Sequence, residues 1–166
     1  RGLLGIRLAP CRRRRGEGGR LSCSPKPLVD SEGRTISYLR LSLTDRCNLR
    51  CRGCYARARH GSNRPELTDP QWTDVFSQAQ ELGVSVIMLA GGEPLMRPGI
   101  LDITPKFPGL IFPLFTNGLL LDDAFIARFR AQPHVIPVVS IEGWEPETDK
   151  RRGSGVFDSV AAAAEK

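Results

Sequence analysis

Four short apolar runs set the strongest limit on how this chain can fold. They are ISYLRLSL (36–43), VSVIMLA (84–90), LIFPLFT (110–116) and VIPVVSI (135–141). The first alternates apolar and polar residues, and the others are nearly continuous, which is typical of parallel strands covered on both faces. Amphipathic segments separate the runs, so the pattern predicts a parallel α/β protein, either a barrel or a doubly wound sheet. A closed eight-unit barrel needs ~250 residues, so the 166 residues of this chain hold only part of one.

The helix signals lie between these runs. Thr68 or Asp69 can cap a first helix, and Gly83 can close its end. A second helix is predicted over about 122–131, and a third begins near Val156.

Prolines limit two of these assignments. Pro98 and Pro105 permit only a short helix within 96–107. Pro113 and Pro137 fall in the middle of predicted strands, where each removes a hydrogen-bond donor from the ladder. We keep both strands because each run ends in polar turn residues.

The four strands end in chemically distinctive loops. These loops are TDRCNLRCRGCY (44–55), GGEP (91–94), TNG (116–118) and SIEG (140–143). Ligands of parallel α/β folds bind at the carboxyl ends of the strands, and all four loops must lie at that end. The sequence therefore predicts one site built from four loops.

The first loop holds three cysteines, Cys47, Cys51 and Cys54, spaced C-x3-C-x2-C. Three thiolates from one short loop can hold a cubane iron–sulfur cluster, which ordinarily takes four cysteines. With three, one iron keeps an open coordination position for a ligand.

Two other interpretations of the cysteines stay open. A zinc-stabilised, non-enzymatic domain could use His60 as a fourth ligand, although structural zinc sites usually come as two separated pairs. A disulfide would leave one of the three clustered thiols unpaired. Cys11 and Cys23 lie outside the loop and are interpreted as free thiols.

The GGEP loop has the composition of a ligand contact. Gly91 and Gly92 can let the backbone approach a ligand closely, and Glu93 offers an acceptor suited to a ligand ammonium group.

The net charge of +6 comes from one segment. Residues 1–20 contain seven arginines and one glutamate, and the remainder has 17 basic and 17 acidic residues. We therefore expect no nucleic-acid partner, and no run reaches the ~20 apolar residues of a membrane span. Residues 1–27 are predicted to be a disordered Arg/Gly-rich leader, with a transit peptide as the alternative, and 28–166 a core domain that is incomplete at its C-terminus.

The cysteine motif followed by GGEP, TNG and SIEG resembles the radical S-adenosylmethionine enzymes. This resemblance implies a partial (β/α)6 TIM-like barrel of the radical SAM type, truncated here after about four βα units. It implies an enzyme with two cofactors, a [4Fe–4S] cluster and S-adenosylmethionine. In the family the open iron chelates the amino and carboxyl groups of S-adenosylmethionine, and one electron cleaves it to methionine and a 5′-deoxyadenosyl radical that abstracts a substrate hydrogen.

The same resemblance assigns roles to residues of this chain. Cys47, Cys51 and Cys54 would hold the cluster. The cofactor would be contacted at the GGEP loop and at residues of the other strand ends, namely Gly91, Gly92, Glu93, Asn117, Ser140 and Tyr55. The expected partners are a small-molecule or peptide substrate and an electron donor such as flavodoxin or ferredoxin, in the cytoplasm. A truncated copy without activity is a further possibility.

Two branches of the family share features with this chain. Residues 28–51 are similar to the start of the GTP 3′,8-cyclases of molybdenum-cofactor synthesis, in which an arginine at the position of Arg40 touches GTP. That branch has an aromatic residue, an arginine and a threonine where this chain has Gly53, Met88 and Phe115.

Residues 139–160 are similar instead to peptide- and haem-modifying members, with Glu142 in place of their usual aspartate. The resemblance thus implies the superfamily and leaves the substrate open.

Overall fold

The computed structural model describes residues 27–56 and 65–166. The predicted leader lies outside these residues except for Pro27, as do His60, Cys11 and Cys23. The elements in chain order are β1 (Tyr38–Ser42), α1 (Asp69–Glu81), β2 (Val86–Ala90), α2 (Ile100–Ile103), β3 (Phe112–Thr116), α3 (Asp123–Arg130), β4 (Val135–Val139), α4 (Glu145–Arg152) and α5 (Val156–Ala164), with 3-10 turns at Pro94–Met96 and Thr104–Lys106.

The strands form one parallel sheet in the order β1-β2-β3-β4. Sequential order means that every crossover moves to the next strand in the same direction, as in the wall of a βα barrel. A doubly wound sheet would reverse direction at a switch point. The barrel alternative is therefore the correct one, and β1 and β4 are the edges of the sheet.

The hydrophobic core lies between the sheet and its helices. Phe76 of α1 and Phe112 of β3 are both 0% exposed, and their ring centroids lie 5.1 Å apart. Phe76 also packs edge-on against Phe107 at 5.7 Å. The capping signals of α1 are used as predicted, because Thr68 and Gln71 form a capping box and Pro70 occupies the first turn.

Both mid-strand prolines are present in strands, and they affect the hydrogen-bond ladder differently. Ile111 donates to Ser85 and Ile87 donates to Ile111, so the next donor in the β2–β3 ladder is residue 113, and Pro113 leaves a gap there. In β4 the residues whose N–H groups face β3 are the even-numbered ones, as Ser140 shows. The nitrogen of Pro137 therefore points away from the ladder, and the proline removes nothing from it.

One helix was not predicted. The α4 segment is polar on all sides and carries no apolar stripe, which is the signal by which helices are recognised. It does carry terminal signals that could have identified it. Pro146 lies in the first turn, acidic residues begin the helix, basic residues end it, and Gly153 follows.

The other predicted helices are present, including the one near Val156, and the proline-rich 96–107 stretch contains only a four-residue helix. Across the described residues, no helix combines the length and apolar character needed to cross a membrane.

Candidate cluster and cofactor site

The cysteine loop, 44–55, leaves the carboxyl end of β1 and is fastened to the GGEP loop by its own backbone. The N–H of Gly92 donates to the carbonyl of Thr44, and the N–H of Glu93 donates to the carbonyl of Arg46, both at 2.7 Å. Two of the four predicted loops are therefore joined before any ligand is considered.

This fastening requires both glycines. Gly91 has φ of +139°, and a Cβ there would lie 2.5 Å from the carbonyl oxygen of Thr44. A Cβ on Gly92 would lie 2.1 Å from the carbonyl oxygen of Arg46. Close approach was predicted toward a ligand, and the structure shows it toward the neighbouring backbone. Contact between these glycines and a cofactor stays a prediction.

Glu93 connects the GGEP loop to the end of β3. One carboxylate oxygen, Oε1, accepts hydrogen bonds from Leu95 N–H at 3.0 Å and from Thr116 Oγ1 at 2.8 Å. The other, Oε2, accepts from the N–H of Asn117 at 2.8 Å. The residue is 0% exposed, so this carboxylate is a fully internal connection between two strand ends.

Burial raises the pKa of Glu93, and the three hydrogen bonds offset part of that rise. Oε2 accepts one hydrogen bond and retains a further lone pair. An ammonium group at Oε2 would favour the ionised form of Glu93, which fits the predicted contact with a ligand ammonium. Because the carboxylate is covered, such a group would first need access to it.

Asn117 joins the end of β3 to the cysteine loop. Its side-chain Nδ2 donates to Asn48 Oδ1 at 2.7 Å and lies 3.9 Å from Cys47 Sγ, within hydrogen-bonding range for sulfur. Its Oδ1 accepts from the N–H of Leu119 at 3.0 Å. Asn117 was expected to contact the cofactor, and the structure shows its amide against the cysteine loop. Contact with the cofactor stays a prediction.

Cys47, the first cysteine of the loop, is partly buried. The N–H of Leu49 approaches its sulfur at 3.5 Å. Burial, which is the largest effect, raises the pKa of Cys47, and the nearby charges of Glu93, Cys51 and Cys54 raise it further, against the hydrogen bond from Leu49. All three thiols are free and partly buried. Binding of a metal at Cys47 must therefore displace a firmly held proton.

The donor set fits an iron–sulfur cluster. Within 27–56 and 65–166, no three or more His, Cys, Asp and Glu side chains lie close enough together to hold one metal ion. A cubane cluster has a different requirement, because each thiolate binds its own iron. Three thiols in one loop, with N–H donors at Cys47, provide that arrangement. His60, the fourth ligand of the zinc alternative, lies outside the described residues.

Two further predicted site residues form a pair on β1 and the cysteine loop. The guanidinium of Arg40 donates to the hydroxyl of Tyr55 at 3.3 Å. Tyr55 is 66% exposed, so both side chains remain available to a ligand.

The loop after β4 reaches the same edge of the sheet. Ser140 donates its backbone N–H to the carbonyl of Thr116 at 2.9 Å. Glu142, which replaces the usual aspartate of the peptide- and haem-modifying members, forms ion pairs with Arg151 at 2.9 Å and with Arg152 at 2.5 Å.

A network of charged side chains, which the sequence did not predict, holds the start of the cysteine loop. Glu66 accepts from the hydroxyl of Thr44 and forms ion pairs with Arg46 at 3.2 Å and Arg97 at 3.5 Å. Burial raises the pKa of Glu66, but the hydrogen bonds from Thr44 and Arg46 and the two positive charges lower it overall. Glu66 lies 20 or more positions from Thr44, Arg46 and Arg97, and no local pattern links it to them.

This fold and this three-cysteine edge define a family, and comparison with known families names it. Residues 41–166 match the Radical SAM superfamily, and the chain belongs to it. Members of this family use a [4Fe–4S] cluster and S-adenosylmethionine.

The curated relatives include several GTP 3′,8-cyclases. That of Petrotoga mobilis is 34% identical over 149 residues, 83% of this chain and 46% of the relative. That of Clostridium perfringens is 40% identical over 102 residues, 58% of this chain and 32% of the relative. Molybdenum cofactor biosynthesis protein 1 of Mus musculus is 41% identical over 102 residues, 57% of this chain and 16% of the relative. The chain spans less than half the length of these proteins.

Solved structures support the fold. Streptococcus suis SuiB is 20% identical with a TM-score of 0.66, covering 78% of this chain and 29% of that one. Native anSMEcpe with bound AdoMet is 21% identical with a TM-score of 0.60, covering 77% of this chain and 39% of that one. The four-stranded parallel sheet is thus part of the TIM-like barrel of the radical SAM type, as predicted.

The fastening of the two loops leads to a stability prediction. Gly92→Ala should destabilise the fold by about 1–3 kcal/mol, because a Cβ cannot be fitted against the backbone of Arg46 without moving it. Gly109→Ala is the matched control, since its Cβ would meet only the flexible side chain of Gln80 at 3.4 Å, and we expect a change within about 0.5 kcal/mol. Denaturant unfolding measures both. Equal effects of the two substitutions would show that the loops are not packed as described.

Proposed function

We propose that this chain holds a [4Fe–4S] cluster through Cys47, Cys51 and Cys54 and forms the catalytic core of an enzyme that cleaves S-adenosylmethionine reductively. One observation carries the proposal: the cysteine loop, the GGEP loop and the end of β3 are joined at one edge of the sheet through Glu93 and Asn117. Family membership supplies the cofactors that such an edge would bind.

The surroundings of the cysteines suit this role. The N–H of Leu49 and the amide of Asn117 are directed at Cys47 Sγ, and hydrogen bonds of this kind stabilise a cluster thiolate and adjust its potential. When bound, the reduced cluster and S-adenosylmethionine together supply one-electron cleavage of the cofactor and a radical that takes hydrogen from a substrate.

We assign the cofactor contacts to residues around this edge. Gly91 and Gly92 would present backbone to the methionine moiety, and Glu93 would attract its ammonium group. Asn117 and Ser140 would approach the ribose. Tyr55 follows the third cysteine and would cover the cofactor from the exposed side of the loop.

The cluster assignment is tested by removing one thiol. Cys51→Ala should lose stable cluster assembly, because each cysteine provides one iron–sulfur bond. Cys23→Ala, outside the loop, should load normally. Iron and sulfide counting after anaerobic reconstitution, with EPR of the reduced protein, measures both. Full loading of Cys51→Ala would refute the assignment, and a single zinc without sulfide would favour the non-enzymatic alternative.

The first candidate substrate is GTP. The curated relatives described above include GTP 3′,8-cyclases, and Arg40 stands where that branch has an arginine that touches GTP. The side chain of Arg40 is exposed and held by Tyr55, so it can receive an anionic group.

The second candidate is a substrate with a single anionic group and an apolar body, and the composition of the sheet favours it. Arg40 is the one charged residue within the four strands that the structure describes. It pairs across the sheet with Met88, where the cyclases have an arginine, and the same face continues to Pro113 and Ile136. A triphosphate would find one cation among these strands, and a methionine cannot replace a guanidinium.

Incubation of the full-length protein with GTP, S-adenosylmethionine and a reductant distinguishes the two candidates. We expect 5′-deoxyadenosine from cofactor cleavage but no cyclised nucleotide, because Arg40 is the one cation in the described strands and Met88 cannot replace the arginine of the cyclases. Formation of the cyclised nucleotide would establish the GTP assignment and overturn our preference for a less charged substrate.

A further inference from the structure

An ion pair joins the start of the cysteine loop to the segment that leads from it into α1. Glu66 lies shortly before α1, and its carboxylate contacts Thr44 and Arg46 at the start of the loop. The contact with Thr44 joins positions 22 residues apart, and all three cysteines lie between them. The segment that carries the cysteines is therefore closed at both ends by one side chain.

Both carboxylate oxygens of Glu66 take part. Oε1 accepts from the hydroxyl of Thr44 and from Nε of Arg46 at 3.2 Å, and Oε2 accepts from Nη2 of Arg46, also at 3.2 Å. A two-point contact of this kind fixes the orientation of the guanidinium as well as its distance. Nη2 also donates to the carbonyl of Met96 at 3.4 Å, so Arg46 is held against the turn after GGEP.

The hydroxyl of Thr44 extends this constraint to the backbone of the loop. It donates to Glu66, and its oxygen accepts the N–H of Arg46 at 3.0 Å. A hydroxyl has one proton, so directing that proton at Glu66 leaves the lone pairs of Oγ1 for the N–H of Arg46. Cys47 is the next residue, and its position depends on the peptide that Thr44 and Glu66 hold.

Arg97 connects the same carboxylate to α1. Its guanidinium lies 3.5 Å from Glu66 and 2.6 Å from Asp69, the first residue of α1, and its side chain is 11% exposed. Within 27–56 and 65–166, the ion pair of Asp69 is with Arg97 alone. Asp69 thus shares a cation with Glu66 without contacting the cysteine loop, and it offers a matched control.

We propose that Glu66 is a positioning residue that closes the cysteine loop and preorganises Cys47, Cys51 and Cys54 for a cluster. The inference rests on the proposed function, because it assigns the closed loop to cluster binding. Closing the loop in the apoprotein removes conformational freedom that the chain would otherwise lose when a cluster binds. A loop closed in advance therefore retains its cluster for longer.

Three substitutions separate this role from a general effect on stability. Glu66→Gln keeps the size of the side chain and removes its charge, while Thr44→Val removes the hydroxyl without changing any charge. Asp69→Asn is the matched control, because it takes one negative charge from Arg97 and leaves the contacts with the cysteine loop in place. The double variant Glu66→Gln/Thr44→Val tests whether the two side chains act as one unit.

The first measurement needs no cluster. The full-length apoprotein is treated with iodoacetamide under anaerobic, native conditions, and mass spectrometry follows the alkylation of each cysteine. We expect Cys47 to react about fivefold faster in Glu66→Gln and in Thr44→Val, because each loses a hydrogen bond that holds the preceding peptide. Asp69→Asn should match the wild type. The double variant should be no faster than the faster single variant, because both changes break the same link.

The second measurement is the rate at which the reconstituted cluster loses iron to a chelator, followed by absorbance. We expect Glu66→Gln and Thr44→Val to lose iron about fivefold faster than the wild type, and Asp69→Asn to be unchanged. If Glu66→Gln does not fold, which would expose all three thiols alike, Thr44→Val alone decides both measurements.

Equal alkylation and iron-loss rates in all variants would overturn the proposal while leaving the cluster assignment intact. Equally raised rates in Asp69→Asn would also overturn it, because they would show a general loss of stability. Faster alkylation with unchanged iron loss would refute the link to the cluster. A wild-type protein that binds no cluster would instead refute the function on which the proposal rests.

Discussion

The buried carboxylate of Glu93 is the interaction on which the arrangement of this edge depends. It is fully covered, yet it accepts from Leu95, Thr116 and Asn117, so one side chain fixes the turn after β2 and the end of β3. Burying an ionised carboxylate is costly unless donors surround it. The three hydrogen bonds meet that requirement, and they do so only when the two strand ends are in register.

The backbone of the same segment fixes the cysteine loop. Glu93 and Gly92 donate to the carbonyls of Arg46 and Thr44, so any shift of the GGEP loop would shift the first cysteine with it. Asn117 links the end of β3 to the same loop through its contacts with Asn48 and Cys47. The loop that would carry the metal is therefore positioned by residues that need not touch the metal, as outer residues commonly position metal ligands.

Much of the fold could be predicted because its signals are local. Apolar runs identify the four strands, the capping residues identify α1, and the rule that parallel strands end at one edge brings the four loops together. Helix α4 was missed because it presents no apolar stripe. The burial of Glu93 and the contact of Asn117 with the cysteine loop depend on pairings between residues 24 and 70 positions apart, which no single segment of sequence encodes.

This chain shares its fold with the superfamily but differs from the GTP 3′,8-cyclases at particular positions. Membership of the superfamily follows from the match over 41–166, while the GTP 3′,8-cyclases are similar over less than half of their own length. Three positions named in the sequence analysis as different from that branch, Gly53, Met88 and Phe115, lie in the cysteine loop, in β2 and in β3. We therefore expect this protein to differ from the GTP 3′,8-cyclases in the substrate that it accepts.

In the proposed site three thiolates leave one iron open for the cofactor, and Mössbauer spectroscopy of the protein reconstituted with ⁵⁷Fe measures this open position most directly. Spectra recorded without and with S-adenosylmethionine should show one iron site whose isomer shift rises on addition of the cofactor, while the three sites that we assign to Cys47, Cys51 and Cys54 stay the same. Identical spectra under saturating cofactor would contradict the account, because the cluster would then have no open position at this edge.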